Sequence, residues 1–152
     1  MREKYLLELG GENTDLGKYE ALELFQFKKY YPTLELDYGN IIIISTSRAI
    51  EKKIISRLSM TKRLSNIIFN STKNNIKSIL NDLENINIEH KSFAIRQIGQ
   101  NDLDSEKTAI LIGKKISDKN KTNLNNPEIT VLFYQNSKLF ISLCNNDWDT
   151  GY

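Results

Sequence analysis

Residues 92–99 read SFAIRQIG. Phe93 and Ile95 alternate with Ala94 and Arg96, the period of two that sends successive side chains to opposite faces of a sheet. One face is apolar and the other carries a guanidinium, so the stretch predicts a strand with a clean core face that ends at Gly99. QNDLD then leads into a helix capped by Asp104 or Ser105. In that helix Ala109, Ile112, Gly113 and Ile116 recur at i, i+3, i+4 and i+7. Lys107 and Lys114 fall on the opposite side, with Lys115 close by and Leu111 an apolar exception among them. Downstream of the polar run SDKNKTNLNN, PEITVLFY and KLFISLC predict two strands joined as a hairpin through QNS. Upstream, Ile76, Ile79, Leu80 and Leu83 predict a helix over 74–83.

The first half has its own alternation of strands and helices. KYLLEL (4–9) predicts a strand ending at Gly10-Gly11, and ENTD offers caps for a helix through Leu16, Tyr19, Leu22 and Phe25. TLELDY follows Pro32 as a second strand, Gly39-Asn40 makes a hairpin turn, and IIIIS is a strand apolar enough to be buried on both faces. A helix is predicted from Ser47 through Arg57, with Ile50, Ile54 and Leu58 inward and Lys52 and Lys53 outward. MTKRLSNIIFN fits either a closing strand or more helix. The order β-α-β-β-α with a final β left open is that of a small ferredoxin-like unit.

The 152 residues suffice for one ordinary domain or two small ones with a real core. Cys144 is the single cysteine, so no internal disulfide can form, and no CxxC or Cys/His cluster offers a zinc site. No apolar run approaches the roughly 20 residues that span a membrane, and MREKYLLELGG is too short in apolar residues for a signal peptide. These features predict a soluble, cytoplasmic chain with no membrane partner. Net charge is +2, but it is unevenly spread. From Arg48 to Lys77 the eight basic residues Arg48, Lys52, Lys53, Arg57, Lys62, Arg63, Lys73 and Lys77 stand against Glu51 alone, a local balance of +7. Lys91 to Lys121 holds seven basic residues against four acidic ones, a balance of +3. Such asymmetry suits a phosphate-facing patch and equally suits solvated helix faces.

Chemistry-bearing arrangements are few. His90 and Cys144 are the only possible Cys/His pair, one in a polar segment and the other in an apolar strand, where cysteine behaves as a small hydrophobe. Gly10 and Gly11 stand side by side without a third glycine at the spacing of a dinucleotide turn, which reads as a tight strand-to-helix connection. Trp148 fits either a core position or an anchor for something beyond it. No catalytic residue and no metal ligand is assigned.

SFAIRQIG, the helix ending in ILIGKKI, and NNPEITVLFY followed by KLFISL occur in an order and spacing that resemble the THUMP domain, over residues 71–144. YLLELGGEN, LGKYEAL and RLSMTKRLS resemble the front of archaeal tRNA (guanine-N2-)-methyltransferases. The resemblance implies an α+β chain in which an N-terminal ferredoxin-like domain (1–70) packs on a THUMP domain (71–152). It implies a tRNA-binding region that docks the acceptor end, with Lys91, Arg96, Lys107, Lys114, Lys115, Lys119, Lys121, Lys62 and Arg63 as candidate phosphate contacts. Arginine matches phosphate oxygens as a planar fork and lysine supplies mobile point charge, so such contacts position RNA without reading its sequence.

The methyltransferase motif (Asn/Asp)-Pro-Pro-Tyr is absent, because the only prolines are Pro32 and Pro127. The resemblance therefore implies no cofactor in this chain, with S-adenosylmethionine serving a catalytic domain C-terminal to it. Two other readings stay open: a stand-alone adaptor presenting tRNA to a separate modification enzyme, and a ferredoxin-like interaction domain with no RNA role.

Overall fold

The computed structural model describes residues 2–71, 80, 83, 92–98, 105–117, 127–135 and 138–145. Its elements are β1 (Glu3–Leu9), α1 (Thr14–Phe27), β2 (Thr33–Asp37), β3 (Ile41–Thr46), α2 (Lys52–Ile55), β4 (Thr61–Ser71), β5 (Phe93–Gln97), α3 (Ser105–Ser117), β6 (Ile129–Gln135) and β7 (Leu139–Asn145). The fold is mixed α+β. The described residues divide into two compact units, one holding those up to Asn66 together with Cys144 and Asn145, the other those from Ile67 to Leu143.

In the first unit the strand order is β2-β3-β1-β4 and every pairing is antiparallel. The β-α-β-β-α-β order follows, because MTKRLSNIIFN resolves as strand: its Ile67-Ile68-Phe69 end continues β4. Flanked by β1 and β2, β3 is buried along its whole length, as four consecutive isoleucines predict. Each such side chain contributes up to about 1.5–3 kcal/mol of burial. Gly39 closes the β2-β3 hairpin at φ +87, and the Tyr38 N–H donates to the Ile41 carbonyl at 2.9 Å.

Asn13 caps α1, its side-chain oxygen accepting from the Leu16 N–H at 3.1 Å. The buried stripe is Gly17, Ala21 and Phe25, whereas Leu16 and Tyr19 are exposed, so the spacing by three does not mark the core face. The helix predicted from Ser47 to Arg57 shrinks to the single turn Lys52–Ile55. Glu51 is extended at φ −78, ψ 143. The Ile50 N–H donates to the Tyr5 hydroxyl at 2.9 Å and the Glu51 N–H to the Tyr30 hydroxyl at 3.2 Å. Two tyrosines thus satisfy donors in an extended lead-in to α2, while Ile50, Ile54, Ile55 and Leu58 still reach the core.

In the second unit the strand order is β4-β7-β6-β5, with β5 and β6 parallel and Arg96 opposite Leu132. Phe93, Ile112, Ile116, Ile129, Val131, Phe133, Leu139 and Ile141 form its core, joined by Leu83. Of the helix predicted over 74–83, only Leu80 and Leu83 are among the described residues. His90, Asp104 and Trp148 lie outside them. Ala94, Leu132, Tyr134, Phe140 and Ser142, which alternate with the core set, are buried too, so the second face is also covered at these positions, whereas Arg96 on β5 is exposed.

Candidate nucleic-acid interface

The cations of the second unit sit on two opposed surfaces. On α3, Ile112 and Ile116 are buried, and a Cβ at Gly113 would lie 3.4 Å from Ile95 Cδ1, so the helix packs on the Ile95 face of β5. Lys107 and Lys114 are exposed on the outer side of α3, with Lys115 half-buried on its flank. Lys114 and Lys115 fall in the last helical turn, where positive charge complements the helix dipole. The apolar exception on this outer surface is Ile110, more exposed than Leu111.

Arg96 projects from the other side of β5, since strand neighbours alternate and Ile95 faces the helix. It is exposed, and no ion pair engages it among the described residues. The structure therefore joins Lys107, Lys114 and Lys115 on one helix and separates Arg96 from them by the thickness of the sheet.

The first unit treats its cations differently. Glu8 on β1 is opposite Arg63 on β4, and the Arg63 Nε donates to Glu8 Oε2 at 2.8 Å. Register shifts between Glu8 and Leu9, whose partner is Thr61, leaving Lys62 as the extra residue of a bulge. Lys62 Nζ lies 3.8 Å from Glu8 Oε1. Residues that would point apart on a regular strand thus share one carboxylate. Arg48 donates to the Lys28 carbonyl at 2.9 Å, lies 3.8 Å over the Tyr30 ring and pairs with Glu51 at 3.8 Å. Lys53 also pairs with Glu51, at 3.1 Å. Lys91, Lys119 and Lys121, like Lys73 and Lys77, lie outside the described residues.

Among the described residues no group of three or more His, Cys, Asp or Glu could hold a metal. Gly11 is left-handed at φ 80, and the Gly10 N–H donates to the Met60 carbonyl at 2.9 Å, the hydrogen bonding of a tight strand-to-helix connection. Cys144 is buried with its Sγ 3.6 Å from the Leu64 carbonyl. No described helix is long and apolar enough to cross a membrane.

No protein-family model matches the chain, and no curated protein matches it. Solved structures do. PH1313 from Pyrococcus horikoshii Ot3 is similar with a TM-score of 0.64 at 12% identity, over 93% of this chain and 53% of that one. TrmN from Thermus thermophilus is similar with a TM-score of 0.64 at 14% identity, over 93% of this chain and 45% of that one. A 4-thiouridine synthetase solved as a complex with RNA and bound ATP is similar with a TM-score of 0.56 at 10% identity, over 94% of this chain and 41% of that one. At these identities the likeness is one of fold, and the chain spans about half or less of the proteins it matches.

Proposed function

We propose that this chain is the tRNA-binding region of a tRNA-modifying enzyme. An N-terminal ferredoxin-like domain (1–70) and a THUMP domain (71–152) dock the acceptor end, and a methyltransferase domain outside this sequence uses S-adenosylmethionine for the chemistry. The observation that carries the reading is correspondence along nearly the whole chain with one part of a protein solved bound to RNA. The exposed lysines of α3 support it, because a helix with an apolar side in the core and ammonium groups on its outer side can follow a phosphate backbone.

In this reading Lys107, Lys114 and Lys115 make the principal contacts, Lys91, Lys119 and Lys121 are further candidates, and Arg96 meets phosphate from the far side of β5. Lys62 contributes from the first unit. Arg63, held by Glu8, fixes the bulge that presents it. Contacts of this kind tolerate many tRNAs with a common end.

The test is titration of the chain with tRNA carrying an intact acceptor end and with duplex RNA of equal length. The expected result is tighter binding of the tRNA, weakening as salt rises because each contact releases condensed counterions. Equal binding of both RNAs, or none, overturns the proposal.

A further inference from the structure

The turn that follows α1 reads FKKYY over residues 27–31. Phe27 is 75% exposed and Tyr31 52% exposed, the first the most open large apolar side chain among the described residues. Within the turn the chain takes a left-handed conformation twice at non-glycine residues, Lys29 at φ 62 and Tyr31 itself at φ 49. Side chains with a Cβ adopt that region rarely, and such residues persist where their surroundings over-determine them.

The surroundings here do so. Arg48 donates to the Lys28 carbonyl at 2.9 Å from above the Tyr30 ring. Arg2 donates to the Tyr31 carbonyl while also binding the Ser45 carbonyl at 2.9 Å. Tyr30 is buried, and its carbonyl accepts from the Ser47 N–H at 2.8 Å. The backbone of the turn is held by Arg48, Arg2 and Ser47, while the side chains of Phe27 and Tyr31 are exposed. Lys28 Nζ lies 5.4 Å from the Phe27 ring centroid, and Lys29 is exposed with no ion pair among the described residues.

We infer that this turn is a stacking site for unpaired RNA bases, with Phe27 and Tyr31 as the platforms and Lys28 and Lys29 as phosphate contacts. Every base has a π face, so aromatic stacking beside cations binds single strands with little sequence preference. A turn whose backbone carbonyls are held in this way presents its rings at a lower ordering cost than a loop without such contacts. Charge complementarity between the two lysines and a phosphate backbone selects RNA over an apolar protein segment as the occupant. The inference rests on the tRNA-binding reading and assigns to the first unit the unpaired part of the RNA, as distinct from the α3 lysines that follow backbone.

The probe is a single-stranded RNA decamer carrying 2-aminopurine, titrated against the whole chain with fluorescence as the readout. Stacking quenches 2-aminopurine, so the expected result is quenching on binding. Phe27→Leu with Tyr31→Leu keeps apolar bulk and removes the π faces, and should weaken binding about tenfold or more and abolish quenching. Phe27→Tyr with Tyr31→Phe should restore both. Duplex RNA should be insensitive to all four substitutions, and Lys107→Ala with Lys114→Ala should affect the duplex without affecting quenching. A decamer that does not bind, that binds unquenched, or that binds the leucine variant as well as the parent overturns the stacking site. Loss of the α3 effect alone overturns the backbone reading instead.

Discussion

Glu8 and Arg63 face each other on neighbouring antiparallel strands, where the Arg63 Nε donates to Glu8 Oε2 at 2.8 Å and Nη2 forms an ion pair with the same oxygen at 2.8 Å. The two side chains are 14% and 18% exposed, so water competes poorly for the pair. Glu8→Gln removes the charge and should lower stability by about 1–2 kcal/mol in a urea titration. Arg63→Ala should cost as much and lower tRNA affinity only through Lys62, by less than Lys107→Ala with Lys114→Ala does. An Arg63→Ala variant of native stability that no longer binds tRNA would mean that the guanidinium serves RNA and not the strand pair.

Because α3 and Arg96 lie on opposite sides of β5, their variants should act independently. Lys107→Ala with Lys114→Ala should weaken tRNA binding and reduce its salt slope, and Arg96→Ala should add a smaller, separable loss. Melting temperatures should hold, since exposed substitutions away from packing shift stability by less than about 0.5 kcal/mol. Filter binding at several salt concentrations reads both effects. An unchanged slope in the lysine variant would remove α3 from the interface.

The two buried-side helix glycines should respond differently to alanine. At Gly113 the new Cβ would meet only the flexible tip of Ile95, at 3.4 Å, so the ordinary helix gain of about 0.5–1 kcal/mol should appear in thermal melts. At Gly17 it would meet the Met60 carbonyl oxygen as well as its Cβ, each at 3.4 Å. Backbone cannot rotate away, so Gly17→Ala should gain less than Gly113→Ala or lose stability.

Asp37 is paired with Lys18 and accepts from the Gly39 N–H at 2.9 Å. The lysine first, then that N–H, hold its carboxyl below the ordinary aspartate range. A depressed carboxylate contributes stability above its unfolded pKa and loses it as pH falls through the folded value. Acid melts below about pH 4 should therefore be shallower for Asp37→Asn than for the parent. The same pairing raises Lys18, whose contribution fades as pH rises through its folded value. Salt should reduce the difference, because Asp37 is 37% exposed. Identical acid profiles would show that the pair does not couple to folding.

Elements whose determinants lie within a few residues were legible: the isoleucine run of β3, the Gly39-Asn40 turn, and the alternation of β5 that separates Ile95 from Arg96. Elements set by distant partners were not. The lead-in to α2 is extended because hydroxyls from Tyr5 and Tyr30 reach its N–H groups, and nothing near Ser47 announces them. On α1, periodicity by three selected Leu16 and Tyr19, whereas the small residues Gly17 and Ala21 permit close packing and define the buried side. For the candidate interface, the α3 lysines could be read from helical spacing. The sharing of Glu8 by Lys62 and Arg63 depends on a bulge that no residue type in TKRLS signals. The exposed FKKYY turn had a visible signal, aromatics interleaved with lysines, but only the structure shows which of its three aromatic rings is buried.

The first unit is assembled from two distant parts of the sequence: Leu64 and Cys144, eighty positions apart, meet within it. On a ribosome that separation is a delay. The contact between Leu64 and Cys144 can form only after the whole stretch between them has been made. Chain topology thus makes closing the first unit a long-range event, the kind that folds slowly because loop closure comes before the contact that rewards it.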